Sequence, residues 1–424
     1  MHISDEQKLL AIIERETIPA VGCTEPVAVA LAVAQAAVYS EGTLLRIDVE
    51  ADANIFKNGL RVGIPGCNGV GLLLAAALGY VKKNPEKKLE VLAGLTIRDI
   101  EDARSLVERG LIAVGITTKA VNGLYVGVTI TSKMNTVRCI VADRHTNIKY
   151  IEVDGIPIYD KNSEIVVTKE THTIGDFNLS DLYSFSSLVP VIELDHLYDG
   201  LQMNLLIALE GFRLMERTNL EMAVDHTEDE IIRRAKNLVS SAVYARMSGV
   251  TMSVMTTAGS GNQGLVATLP LLAMMEANKC SKEKVLRAMA LSNLVTSYIK
   301  YHTGLLGPIC SCGIAAGAGA SAGAVLLMGG GLEEIHASIN IVLTTLFGMI
   351  CDGAKKSCAF KAASAAGTAV EAAHMAMNGV RVDHMDGVIS RDADQSIRDA
   401  GKLCNEGFIN VNDSILGIIT SHSL

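Results

Sequence analysis

A single block of strand-like alternation, running from about residue 43 to 170 inside a chain otherwise patterned for helices, sets the strongest limit on the fold. "LLRIDVEADAN", "LEVLAGLT", "IAVGITT", "LYVGVTITSK", "TVRCIVADRH", "KYIEVDG" and "EIVVTKE" are rich in Val, Ile and Thr and alternate in polarity. Such runs read as strands joined by turns. "GVGLLLAAALGYV" and "DIEDARSLVERG" lie between them and read as helices packed on that sheet. Beyond about 195 the patterning is helical, clearest in "DEIIRRAKNLVSSAVYARMS", "KEKVLRAMALSNLVTSYIKYH", "EEIHASINIVLTTLFGMI" and "FKAASAAGTAVEAAHMAM". Residues 5–40 also read as helical, broken at "PAVGCTEP" between Pro19 and Pro26. The expectation is an α+β fold. A mainly helical catalytic domain is built from 1–42 and 195–424, with a mixed α/β domain inserted at 43–194.

The interior has to be made of small side chains. The chain is 49% hydrophobic yet 4% aromatic and has no Trp, so helices must approach closely to fill space. A net charge of -9 argues against nucleic acid as a partner. The charged N-terminus lacks the layout of a secretory signal. "GIAAGAGASAGAVLLMGGG" (313–331) is the nearest approach to a membrane span, but its glycines favour a buried helix. These features predict a cytoplasmic protein with no membrane partner and a small-molecule substrate; they are compatible with a homo-oligomer and do not give the oligomeric state.

The nine cysteines form an odd count in a long chain, which speaks against a disulfide scaffold. Four of them fall between 310 and 358. Cys351 and Cys358 are seven residues apart, which in a straight helix separates them by roughly 10 Å along the axis. Gly353 between them can break that helix, and Lys355 and Lys356 would stabilise thiolates. Cys310-Ser-Cys312 follows a proline and precedes a helix, whose N-terminus favours an anionic sulfur. One or both complete a set of three with Cys351 and Cys358. Three thiolates with an open position describe a catalytic iron–sulfur cluster better than structural zinc, which takes four ligands in paired CxxC knuckles absent here. The bland alternative is a group of ordinary buried cysteines.

Three further features carry possible chemistry. Cys23, in a loop bounded by glycine and proline with Glu25 two residues on, is read as a proton-transferring thiolate, a fourth cluster ligand, or a buried loop cysteine. The glycine-rich stretches 58–71 and 256–270 present backbone N–H groups suited to a small anion. "GSGNQG" matches neither a dinucleotide fingerprint nor a P-loop. A carboxylate-binding loop is preferred for it, with Ser260, Gly261, Asn262 and Gln263 as the contacts. His172, His302, Lys57 and Asn58 are lesser candidates for proton transfer.

"PAVGCTEPVAVALA", "NIFKNGLRVGIPG", "GSGNQG" and "GMICDGAKKSCAFK" together resemble the L-cysteine desulfidase family, the single-chain relative of the iron–sulfur L-serine dehydratase alpha chain. The similarity runs over nearly the whole chain. It implies an oxygen-labile [4Fe–4S] cluster held by Cys351, Cys358 and one of Cys310 and Cys312, with Cys23 as proton acceptor. It also implies elimination of sulfide from L-cysteine, leaving ammonia and pyruvate, without pyridoxal phosphate. L-serine dehydration with the same cluster is the nearest alternative. True serine dehydratases space their last two cysteines further apart. A metal-binding or redox-sensing protein without turnover is the alternative of a different class.

Overall fold

The computed structural model describes residues 3–118, 123–161, 173–216, 229–304, 306–383, 387–408 and 410–421. Helix α1 (Ile3–Glu16) leads into a short strand β1 (Pro19–Val21) and helix α2 (Thr24–Tyr39). Strand β2 (Leu44–Ala51), helices α3 (Ala53–Gly59), α4 (Leu72–Lys82) and α5 (Ile97–Glu108), and strands β3 (Ile112–Ile116), β4 (Tyr125–Ser132), β5 (Thr136–Ala142), β6 (Ile148–Val153) and β7 (Ile156–Asp160) follow. The six strands form one mixed sheet in the order β3-β2-β4-β5-β6-β7, parallel only between β2 and β3. The remainder is helical: α6 (Leu179–Leu188), α7 (Asp195–Met215), α8 (Glu230–Met247), α9 (Gly261–Asn278), α10 (Lys282–Thr303), α11 (Gly317–Leu327), α12 (Leu332–Leu346), α13 (Cys358–Met377), α14 (Ala393–Lys402) and α15 (Val411–Ser421). The fold is therefore α+β and mainly helical, as the patterning indicates.

Two hydrophobic cores divide the chain at places the sequence did not mark. Leu9, Ile12 and Ile13 of α1 pack in the helical core, but α2 does not. Its residues Val27–Ala37 pack with β2, β4 and β5 in the second core. An all-round apolar helix such as α2 must be covered on every side, and the sheet and α4 supply that cover. At the other edge, Ile174, Phe177, Leu182 and Phe185 belong to the helical core rather than to the sheet. The sheet unit thus runs from about Thr24 to Asp160.

Three local readings change. "LEVLAGLT" is not a strand: Pro85–Glu90 is a 3-10 turn, and Val91 and Leu92 are buried in the sheet core as plugs. β7 is an additional edge strand containing Pro157, a residue tolerated only where one edge is unpaired. A three-residue strand β8 (Ser253–Met255) pairs antiparallel with β1 within the helical region. The stretch 164–170 lies outside the described residues.

The small-residue interior works as composition suggests. A Cβ on Gly319 of α11 would collide with the Ser292 carbonyl and the Thr296 hydroxyl of α10, so the two helices touch where only hydrogen fits. α11 is buried along almost its whole length. Among the described residues no helix is long and apolar enough to cross a membrane.

Candidate functional site

The two cysteine-bearing stretches meet through backbone pairing. Ile309 and Ile350 form an antiparallel bridge. The Cys310 N–H donates to Met349 O (2.8 Å) and the Cys351 N–H to Pro308 O (2.6 Å). The chain then turns at Gly353, whose φ is +94° and whose added Cβ would lie 2.5 Å from Lys57 O. Only glycine satisfies both conditions. Cys351 and Cys358 are therefore not on one straight helix: Cys351 is in the loop and Cys358 opens α13. Its thiol points back at Gly353 O (3.6 Å). Asp352 fixes the loop by accepting from Lys355 (2.6 Å) and Lys361 (2.5 Å). Cys312 opens a π-turn, Cys312–Ala316, that runs into α11.

Cys310, Cys312, Cys351 and Cys358 line a single cavity of about 220 Å³, and Cys23, Ser260, Asn262 and Gln263 line it too. That is smaller than most ligand pockets, which run roughly 300–1,000 Å³, and suits a small metabolite. Gly261 is not on its wall. Of the glycine-rich stretch 58–71 only Asn58 reaches it, so that stretch is not an anion cradle at this cavity. Its remaining residues are held by turns of their own, including a Gly63–Val70 bridge.

Buried cations stand behind the thiols. Lys57 is 2% exposed and donates to Gly307 O (3.2 Å) and Asn412 Oδ1 (2.7 Å); it has no carboxylate in ion-pair range among the described residues. Burial lowers its pKa, and the neighbouring Cys351 and Asp352 charges oppose that. Lys300, also 2% exposed, donates to Ser311 Oγ (2.9 Å). Burial brings it down to about 8, while Cys312, Cys351, Cys404 and Cys310 pull upward. The neighbouring Cys310 and Cys312 thiols act on each other, so that the pKa of Cys310 is lowered and that of Cys312 raised. Soft sulfur ligands backed by buried ammonium groups fit an anionic thiolate-bound metal group, because each charge lowers the desolvation cost of the other.

Opposite the thiols is a carboxylate-centred network. The Cys23 thiol donates to Glu25 Oε2 (2.7 Å), Thr24 Oγ1 donates to the same oxygen (3.2 Å), and Asn58 Nδ2 donates to Glu25 Oε1 (3.0 Å). The Cys351 sulfur is 3.9 Å from Asn58 Oδ1, so Asn58 stands between the two groups. Burial raises the Cys23 pKa and the Glu25 charge raises it further. Burial would also raise Glu25, but His145 and the bonds from Cys23 and Asn58 outweigh it. The resting pair is thus thiol and carboxylate.

The "GSGNQG" stretch leads into the first turn of α9. Ala258 and Gly259 take positive φ, and α9 starts at Gly261 beneath the cavity. Asn262 Oδ1 accepts from Arg246 Nη1 (2.9 Å), and Arg246 Nη2 donates to Gly22 O (2.5 Å), joining this turn to the Cys23 loop.

Sequence reading missed Arg246, Lys300 and His145. For the first two a signal existed: each is a lone cation in an apolar helical run, "AVYARMSGV" and "LVTSYIKYH". His145 sits in the β5–β6 turn, where nothing local marks it. Its Nε2 is buried without a partner at the cavity wall, and burial lowers its pKa against the pull of Glu25. His302 instead packs edge-on against Tyr298 and Tyr301, away from the cavity. His172 lies outside the described residues. A separate group, His336, Asp392 and Asp394, places ligand-type atoms within 4.8 Å of one another. Each already accepts a backbone N–H around the start of α14 or from Leu179.

Comparison with known proteins adds the relationship. Residues 180–417 match the model of the family described as serine dehydratase alpha chain. Over its whole length the chain is similar to curated relatives called UPF0597 protein. The one from Clostridium tetani is 38% identical over 416 residues, covering 98% of each chain. That from Clostridium perfringens (strain SM101 / Type A) is 36% identical over 421 residues, and that from Caldanaerobacter subterraneus subsp. tengcongensis is 37% identical over 413, each covering 97% of both chains.

Proposed function

The chain belongs to the serine dehydratase alpha chain family, and from that premise we propose that it is a lyase acting on L-cysteine. It would release sulfide, ammonia and pyruvate with a [4Fe–4S] cluster and no pyridoxal phosphate. The observation that carries the reading is the meeting, at one small cavity, of four thiols from two distant stretches with Cys23 and the α9 turn. Cys351, Cys358 and one of Cys310 and Cys312 would hold the cluster, with Lys57 and Lys300 offsetting its charge. When bound, such a cluster supplies a Lewis-acidic iron that draws electron density from the substrate's β-substituent.

The chain's own residues then move the proton. Cys23 rests protonated, so it accepts the α-proton only as its own proton passes to Glu25 Oε2, 2.7 Å away. The electron pair of the Cα–H bond becomes the Cα=Cβ bond while the Cβ–S bond breaks toward sulfur. The product aminoacrylate tautomerises and hydrolyses to pyruvate and ammonia. Asn58 holds the Glu25 carboxylate in place throughout. Proton transfer by a positioned group of this kind contributes about 10²–10⁴-fold to rate.

The test is an anaerobic assay on iron-reconstituted protein, with L-cysteine and L-serine compared at equal concentration. Equal yields of sulfide and pyruvate from cysteine, with a higher kcat/KM than for serine, are expected. A preference for serine would make the protein a serine dehydratase. A colourless protein with stoichiometric zinc and no turnover would make it a metal-binding protein.

A further inference from the structure

Arg246 is a buried cation with no counter-ion among the described residues. It is 2% exposed at the end of α8 and lines the cavity. Its guanidinium donates to two neutral oxygens, Asn262 Oδ1 and Gly22 O, and no carboxylate is in ion-pair range among the described residues. Nε is buried with no acceptor. A guanidinium held out of water without an anion costs several kcal/mol, so its position asks for a negatively charged partner.

Beside it the first N–H groups of α9, at Gly261, Asn262 and Gln263, precede the first intrahelical bond, Gly264 N–H to Ser260 O (3.1 Å). Ser260 makes no side-chain cap. Uncapped N–H groups at the positive end of an 18-residue helix also favour an anion. Gln263 is 5% exposed and lines the same wall, and its Oε1 is buried with no donor. The wall therefore offers donors for one anion and, next to them, an unused acceptor for a cation.

We propose that this corner is a clamp for an α-amino-acid zwitterion. Arg246 and the α9 N-terminus bind the α-carboxylate, and Gln263 Oε1 takes the α-ammonium. The inference rests on reading the cavity as an amino-acid site and specifies how the site tells an amino acid from a simple acid or amine. It also divides the "GSGNQG" residues: Asn262 positions Arg246, and Gln263 touches the ligand. Because Arg246 is bonded to Gly22 O, a carboxylate held there keeps Cα close to Cys23.

Iron-free protein titrated calorimetrically with L-serine, 3-hydroxypropionate and ethanolamine tests the clamp without turnover. The three probes carry both charges, the carboxylate alone and the ammonium alone. Gln263→Leu is expected to weaken L-serine binding about tenfold or more while leaving 3-hydroxypropionate within about twofold. Arg246→Lys, which keeps the charge but loses the fork, is expected to weaken both acids about tenfold and to spare ethanolamine. Equal losses for all three probes, unchanged binding in both variants, or wild-type protein that binds none of them would overturn the clamp. If Arg246→Lys does not fold, the Gln263→Leu selectivity decides alone. Turnover of cysteine by loaded enzyme without this selectivity sinks the clamp and leaves the lyase. The selectivity without turnover of either amino acid does the reverse.

Discussion

Replacing Glu25 by Gln should make Cys23 more reactive and the enzyme slower, two effects that rarely go together. Glu25 Oε2 is 2.7 Å from the Cys23 sulfur, and both residues are almost fully buried. A unit charge about 4 Å away acts on a thiolate with about 4 kcal/mol at an effective dielectric of 20. That corresponds to about a thousandfold in the thiolate-to-thiol ratio. Relaxation of Asn58 and entry of water would absorb part of it, so a gain of about tenfold is the least that the geometry requires. The sign is fixed: the carboxylate penalises the thiolate, so its removal lowers the Cys23 pKa. Gln keeps an oxygen for Asn58, which preserves the fold. The assay is anaerobic alkylation of iron-free protein with iodoacetamide at neutral pH, with Cys23 followed by peptide mapping. The same variant, loaded with iron, should lose about 10²–10⁴-fold in kcat, because the proton on Cys23 has nowhere to go. Unchanged or slower alkylation would show that Glu25 does not hold the proton on sulfur. Unchanged kcat would show that the relay is not used.

Serine substitution should separate the four thiols. Cys351→Ser and Cys358→Ser each lose most bound iron and the visible absorbance. Of the other pair, Cys310→Ser is the one expected to do so, because the Ile309–Ile350 bridge holds Cys310 beside the Cys351 strand; iron analysis after reconstitution checks this. Gly353→Ala places a Cβ 2.5 Å from Lys57 O at a φ of +94°. Such strain costs about 1–3 kcal/mol, so melting temperature and iron retention should fall together. Asp352 gives an acid limb. Burial would raise its pKa, but Lys355 and Lys361 bring it from the usual 3.8 to about 2. A depressed carboxylate adds stability that is complete above about pH 4 and lost as pH falls toward 2. The nominal size is about 2.5 kcal/mol, reduced to about 1 kcal/mol because the pair is about one-third exposed. Asp352→Asn should flatten the stability profile in that window, as read by denaturant titration.

The sequence carried what is local and periodic. Strands β2–β6 and helices α8, α10, α12 and α13 stand where alternation and helical spacing put them. The approach of the cysteine stretches was foreshadowed by Pro308 and Gly353, each a local signal. Long-range facts were not available in the same way. That α2 belongs to the sheet follows from which surface covers it, and its own all-round apolarity gives no direction. Val91 and Leu92 look like strand residues because burial selects the same side chains for a plug as for a sheet.

The misses around the cavity share one cause. Arg246 and Lys300 sit in apolar helices where their charge runs against the local pattern, and local rules assign them no partner. Their position becomes intelligible only when the opposite walls are known. Lys57 and Lys300 back the thiols, Cys23 and Glu25 hold one proton between them, and Arg246 faces the cavity with donors to spare. The proposed elimination draws on all three. It needs positive charge behind the sulfur ligands, a neutral thiol that can pass a proton on, and an anion anchor beside it. A proton that moves from Cα through Cys23 to Glu25 ends on a carboxylate that already faces a buried imidazole and an amide donor. The relay leaves a neutral acid where a buried charge had stood; burial favours that outcome, while His145 and the bonds from Cys23 and Asn58 oppose it, so Glu25 returns the proton once the α-carbon has reacted.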